Sequence, residues 1–188
     1  MPVQTNTRID SLSRLRRNVF LAATTIFLTA PCHPALSAPL KGVHVTEPRN
    51  AAAGFAIVLW MANVDALEVH CSKLNDESGQ QSMSAIGLWK KRNATYENAV
   101  LEYMVRIEEW ISSKHGEQAR QDFRNERKTE FVKSARDTEA VWFPDGKIDE
   151  RSCLRLASYV ANGSLDIDQA KEFLPTILEI TADMESPQ

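Results

Sequence analysis

The chain has 188 residues, of which 43% are hydrophobic and 25% are charged, and its formal net charge is −3 at pH 7. This composition is typical of a globular protein rather than a disordered one. The slight acidic excess argues against nucleic acid or an anionic membrane surface as the partner.

The N-terminal segment has the layout of an export signal. Arg14, Arg16 and Arg17 precede an uncharged, mostly apolar run over 19–30. That run is about a dozen residues long, whereas a membrane-spanning helix needs roughly 20. The pattern therefore predicts a cleaved signal peptide over 1–37 and no stable membrane anchor.

The cleavage site and the compartment follow from the residues after this run. A cut after Ser37 leaves small residues at the −3 and −1 positions and a mature chain that begins at Ala38. Arg16-Arg17 leaves a twin-arginine export route open beside the general one. Residues 1–37 hold four arginines and one aspartate, so the mature chain would carry a formal charge of −6. We expect a periplasmic or secreted protein.

The mature chain opens with a short stretch that lacks a helical pattern. Residues 38–50 contain two prolines and a glycine, which predicts an extended lead-in. The first helix is then predicted over about 51–75. Its apolar side chains recur at spacings of three and four and so share one face: Ile57, Trp60, Val64, Leu67, Cys71 and Leu74. His70 lies about 100° around the helix from Cys71, which predicts a flanking role for it.

The second predicted helix, over about 83–114, has the clearest periodicity, and a polar stretch with Gly79 precedes it as a predicted loop. The inward stripe is Ile86, Trp89, Asn93, Tyr96, Val100, Tyr103, Ile107 and Trp110. Asn93 is its one polar member. Trp89, Asn93 and Tyr96 could line a binding pocket, or Asn93 could be a buried amide that fixes the packing register, and we favour the second interpretation.

The rest of the chain also has helical patterns. A highly charged segment over 117–143 could offer a basic docking patch, although acidic residues dilute it: Arg120, Arg124, Arg127 and Lys128. Asp149 is placed to cap a fourth helix. Asp166, with Gln169, is placed to cap a last segment that Pro175 would kink or split. The inward positions predicted for this segment are Ile167, Ala170, Leu174, Leu178 and Thr181.

No strand pattern competes with these helices. The fold class predicted is all-α, a single-domain bundle of four to five helices over 51–182, followed by a disordered tail over 183–188.

The cysteines gain a meaning from the predicted compartment. Cys32 would leave with the signal peptide, so Cys71 and Cys153 are the two cysteines of the mature chain. In an oxidising compartment such a pair predicts one disulfide. It would close a loop of about 80 residues, for which the chain-entropy estimate is about 4 to 5 kcal/mol as an upper figure. The alternative is two unpaired buried thiols.

Motifs for catalysis or cofactors are missing from the sequence. It contains no Glu-x-x-His or paired-histidine spacing, no Cys-x-x-Cys, no glycine-rich phosphate loop and no Gly-x-Ser-x-Gly. We therefore predict no metal site and no cofactor. Glu108 and Glu109 beside Trp110 are the candidate acid–base pair, and they leave a hydrolase of cell-wall glycan open.

By elimination, the sequence predicts a small exported protein that binds an unknown protein partner, as an inhibitor, immunity protein or adaptor. A self-associating structural protein of the envelope is the other alternative. In size and compartment the chain is similar to small periplasmic helical proteins, including immunity partners of secreted cell-wall amidases. No motif carries residues across from them.

Overall fold

The computed structural model describes residues 44–74 and 77–185 of the chain. These residues form five α-helices and no strand, which confirms the predicted all-α bundle. The helices are α1 (Glu47–Trp60), α2 (Glu77–His115), α3 (Glu117–Glu139), α4 (Glu150–Ala161) and α5 (Leu174–Glu185), with short 3₁₀ turns at Pro144–Gly146 and Ile167–Gln169. The predicted signal peptide lies outside the described residues.

The central element of the bundle is α2, and each of the other four helices packs against it. Its inward face is the predicted stripe, of which seven members are buried: Ile86, Trp89, Asn93, Val100, Tyr103, Ile107 and Trp110. Tyr96 is half-buried. The 3.6-residue periodicity of the sequence thus identified the face that supports the whole core.

α2 begins at Glu77, although its polar composition and Gly79 predicted a loop up to Ser82. Gly79 is buried in the helix, and a larger residue does not fit there because its Cβ would lie 2.1 Å from the carbonyl oxygen of Leu74. The Ser82 hydroxyl donates to the Ser78 carbonyl at 2.7 Å, so this buried polar group is satisfied inside the helix. Gly79 and Ser82 are small residues that allow close packing at this end of α2. The predicted loop was therefore wrong for residues 77–82, which are helical.

α1 continues beyond Trp60 with a different pitch, as two π-helical turns, Met61–Asp65 and Leu67–Cys71. A π-turn holds more residues than an α-turn, so buried positions recur every four residues at Leu59, Asn63, Leu67 and Cys71. The Asn63 amide donates to the Leu59 carbonyl at 2.7 Å and accepts from the Trp142 indole at 2.8 Å. Of the stripe predicted for this segment, Val64, Leu67 and Cys71 are buried, whereas Ile57, Trp60 and Leu74 are only half-buried.

The same segment, Glu47–Cys71, is long and apolar enough to cross a membrane by length and composition, and its most apolar 18-residue window has a mean hydropathy of 1.5. Within the fold, 61% of its most apolar window is buried. The core of the bundle therefore accounts for its apolar character.

α1 starts earlier than predicted and α5 ends later, for a shared reason. Thr46 caps α1 by accepting from the Arg49 N–H, so 47–50 is helical rather than part of an extended lead-in. The buried Arg49 guanidinium then donates to Asp183 of α5 at 2.5 Å. This ion pair ties the two helix ends together, and 183–185 is helical where a disordered tail was predicted.

One of the two predicted caps is confirmed. Asp149 caps α4 by accepting from the Ser152 N–H at 2.9 Å, whereas the Asp166 side chain makes no cap hydrogen bond. The last predicted segment is split near Pro175, as one of the two predicted outcomes had it: a 3₁₀ turn at Ile167–Gln169 precedes α5, and Pro175 is the second residue of that helix, where its missing N–H is not needed. Because α5 starts at Leu174, Ile177 and Ile180 lie in the core and Leu178 is 48% exposed. The predicted inward position of Leu178 was therefore wrong.

Candidate functional site

The predicted disulfide is present. Cys71 and Cys153 are bonded, with their Cα atoms 5.5 Å apart, and both residues are completely buried. The bond joins the end of the α1 continuation to the first turn of α4, across 82 residues of sequence. Both half-cystines lie on inward faces, as their positions in the two helical stripes predicted. The pair is a structural cross-link within the core.

His70 flanks the disulfide and belongs to a separate contact. Its Nε2 lies 2.7 Å from a carboxylate oxygen of Glu139, and its ring meets the ring of Phe143 edge-on at 5.8 Å between centroids. The imidazole therefore links the α1 continuation to the C-terminal end of α3. This confirms that His70 points away from Cys71, and it adds a partner that the sequence did not reveal.

Trp89 and Asn93 take part in a buried polar cluster with Arg92 and Asp166, which we call the Asn93 cluster. The Asn93 amide donates to Asp166 and to the Trp89 carbonyl, both at 3.0 Å, and its oxygen accepts from the Ile167 N–H at 2.8 Å. The Trp89 indole donates to the Leu165 carbonyl at 3.0 Å. Asn93 thus holds the chain after α4 against α2, which is the packing role that we favoured.

Arg92 completes this cluster from the outside. Its guanidinium makes two bonds to the Asp166 carboxylate, at 2.5 and 3.0 Å, and one to the Val160 carbonyl at 2.6 Å. The hydrogen bonds to Asp166 raise the pKa of Arg92, although desolvation opposes part of that rise. The sequence pointed to Asp166 only as a helix cap and gave Arg92 no role, because the partners lie 74 residues apart. Tyr96 belongs to no part of the cluster, so the three predicted residues do not form one site.

The bundle also contains an apolar cavity of about 130 Å³ between α1 and α2. We call it the α1–α2 cavity, and it is open to solvent on one side. Its lining includes Ile57 and Trp60 from α1, Trp89, Glu97 and Leu101 from α2, and Ile167 from the loop after α4. Ile57 and Trp60, which are half-buried and pack against the core, form the α1 wall of this cavity.

Two polar groups belong to residues that line this cavity. Burial raises the pKa of the Glu97 carboxyl, and the charge of Lys90 offsets part of that rise. The Trp60 indole N–H is buried and has no hydrogen-bond partner among the described residues. A buried donor left unpaired costs about 1 to 3 kcal/mol. The cavity therefore combines an apolar lining with one carboxylate, and the unpaired Trp60 N–H is buried beside it.

The environment of Glu97 gives a pH prediction. Because its folded-state pKa is raised, the protonated carboxyl favours the folded state, and this contribution is lost as the pH rises through the folded-state pKa. The stability of the wild type relative to Glu97→Gln should therefore fall as the pH rises from about 4 to 7. Urea unfolding at several pH values measures this, with the exposed Glu109→Gln as the matched control. If the difference in unfolding free energy between the wild type and Glu97→Gln did not change with pH, the raised pKa of Glu97 would be contradicted.

Glu108 and Glu109 do not form an acid–base pair in a cleft. Glu108 is bound by the guanidinium of Arg124 and lies 3.8 Å from that of Arg120. Glu109 is exposed, and neither residue lines the α1–α2 cavity. Glu108 therefore takes part in an ion-pair contact between α2 and α3.

The candidate basic patch of α3 is largely neutralised by its own surroundings. Arg120 is paired with Glu117, Arg124 with Glu108, and Arg127 with Glu130. Lys128, in contrast, lies at the edge of a shallow surface depression. No group of three His, Cys, Asp or Glu side chains suited to a metal ion occurs among the described residues.

Comparison with known proteins gives no relative: no family model, no curated protein and no solved structure matches the chain significantly. The functional argument therefore depends on the chain's own residues.

Proposed function

We propose that this protein is an exported helical binding protein that acts on a protein partner as an inhibitor, immunity protein or adaptor. The observation that carries the proposal is the buried bond between Cys71 and Cys153. Structural disulfides form and persist in oxidising compartments, and they are rare in the cytosol. Together with the signal-like layout of 1–37, the bond supports a protein that works in the periplasm or outside the cell.

Binding is favoured over catalysis by the chemistry of the α1–α2 cavity. An enzyme site needs several polar groups that converge on the reacting atoms. The cavity has an apolar lining with one carboxylate, Glu97, and the other candidate acid, Glu108, is held by Arg124 on another part of the surface. Such a lining suits the recognition of an apolar group, and it offers no acid–base pair.

The test is capture of a partner from the native envelope by the mature protein, followed by size-exclusion chromatography. We expect a stable complex of fixed stoichiometry that Glu108→Gln and Glu109→Gln leave intact. Release of cell-wall glycan that either substitution abolishes would instead establish the hydrolase. Self-association without any partner would establish the structural alternative. Either result would overturn the proposal.

A further inference from the structure

We propose that the α1–α2 cavity is the docking point for the partner, and that it receives one apolar side chain whose neighbour in the partner's chain is a lysine or arginine. The basic group would pair with Glu97. This inference rests on the proposed function and names the chemistry of the partner's contact segment: a polypeptide with adjacent apolar and basic residues.

The size and lining of the cavity fix the apolar part of the occupant. A volume of about 130 Å³ is close to that of apolar protein cavities of about 150 Å³ that bind benzene. It therefore accommodates one side chain of leucine or phenylalanine size. The apolar surface also continues beyond the cavity, because Val105 follows the lining residue Leu101 four residues later along α2, and the two are 49% and 50% exposed.

Glu97 fixes the charge of the occupant. It is half-buried at the edge of an apolar surface, and it forms no ion pair or hydrogen bond with any described residue. Lys90, the cation that influences it, is engaged with Glu68 at 3.6 Å. A basic group from the partner would neutralise the Glu97 carboxylate in a partly desolvated position. The acidic balance of the mature chain, −6, favours a basic partner at longer range.

The cavity and Glu97 together indicate that the occupant is a polypeptide rather than a small apolar molecule. A peptide segment offers an apolar side chain and a basic side chain at neighbouring positions. A hydrocarbon or a simple amine offers only one of the two. Trp60 lines the cavity, so its indole resonance reports on occupancy.

The test uses short blocked peptides and the indole N–H resonances of the mature protein labelled with ¹⁵N at tryptophan. Two tryptophans, Trp60 and Trp89, line the cavity, and the other two, Trp110 and Trp142, serve as internal references. The probes are N-acetylated, C-amidated peptides that contain adjacent leucine and lysine in either order. Matched peptides replace the lysine by glutamate or the leucine by glycine, and benzene and butylamine are the small-molecule probes.

We expect the leucine–lysine peptides to shift the Trp60 resonance saturably, with about tenfold weaker binding of the glutamate and glycine peptides. Glu97→Gln should weaken the leucine–lysine peptides by about the same factor. Leu101→Lys should abolish the shift, because it places a cation beside Glu97 at the mouth of the cavity. Leu88→Lys is its matched control, since Leu88 is an exposed leucine of the same helix that does not line the cavity.

Several outcomes would overturn the inference. Equal binding of the lysine and glutamate peptides would show that Glu97 does not pair with a basic group of the occupant. Binding of benzene or butylamine as tight as that of the peptides would make this a small-molecule site. A dimer that Leu101→Lys dissociates would make the occupant a second copy of the chain. If a partner is captured equally well by the wild type and Leu101→Lys, the proposed function stands and the cavity is not the docking point.

Discussion

Replacing both half-cystines together, Cys71→Ala with Cys153→Ala, is expected to lower the free energy of unfolding by about 3 to 4 kcal/mol. The bond closes a loop across 82 residues, so its loss frees a large part of the unfolded chain. For a bundle of this size such a loss is a considerable share of a typical total of 5 to 15 kcal/mol. Urea unfolding followed by circular dichroism measures the change.

The control for this prediction is the reductant itself. Dithiothreitol should move the urea midpoint of the wild type towards that of the double variant, and it should leave the double variant unchanged. Equal midpoints for the oxidised wild type and the double variant would show that the cross-link does not stabilise the bundle.

Asn93→Ala is expected to lower the free energy of unfolding by about 2 to 3 kcal/mol. Asn93 is 1% exposed and bonds to Trp89, Asp166 and Ile167. Its truncation leaves the Ile167 N–H buried without an acceptor and removes one donor from a buried carboxylate. The higher helix propensity of alanine, worth up to about 0.7 kcal/mol, offsets only part of this loss.

The matched control is Asn98→Ala, because Asn98 is an asparagine of the same helix with an exposed side chain. We expect the Asn98→Ala variant to be as stable as the wild type or slightly more stable. Thermal and urea unfolding of the two variants give the comparison directly. If Asn93→Ala and Asn98→Ala have the same stability, the amide does not fix the packing of α2 against the loop after α4.

The parts of the fold that could be predicted are those that depend on local periodicity. The stripe of α2 identified its buried face because a regular α-helix repeats its contacts every 3.6 residues. The disulfide could also be predicted, because Cys71 and Cys153 each lie on an inward face and are the two cysteines of the predicted mature chain.

The α1–α2 cavity could not be predicted, since it depends on how α1 packs against α2 and the loop after α4. Trp60 is half-buried there and lines the cavity with Glu97. In the sequence, Trp60 matched a core position and Glu97 was one charged residue among many. Gly79 was misread for a related reason: a glycine needed for close approach and one that ends a helix have the same letter.

The Asn93 cluster was predicted in part. The polar residue in an apolar stripe indicated a buried amide, but its partners, Asp166 and Ile167, are more than 70 residues away. Long-range partners of this kind follow from the way the helices pack and leave no local pattern. The ion pair of Arg49 with Asp183 was missed because these partners are also far apart in the sequence. Without that pair, the start of α1 and the end of α5 were placed wrongly.

The central claim is that the chain leaves the cytosol and is then cross-linked through Cys71 and Cys153. Its most direct test is the intact mass of the protein taken from cells that make it, with acid quenching and alkylation of free thiols before any reductant is added. The account predicts a mature chain that begins near Ala38, carries no alkyl group and is about 2 Da lighter than its reduced form. A full-length chain from the cytosol, or a mature chain alkylated at both cysteines, would contradict it.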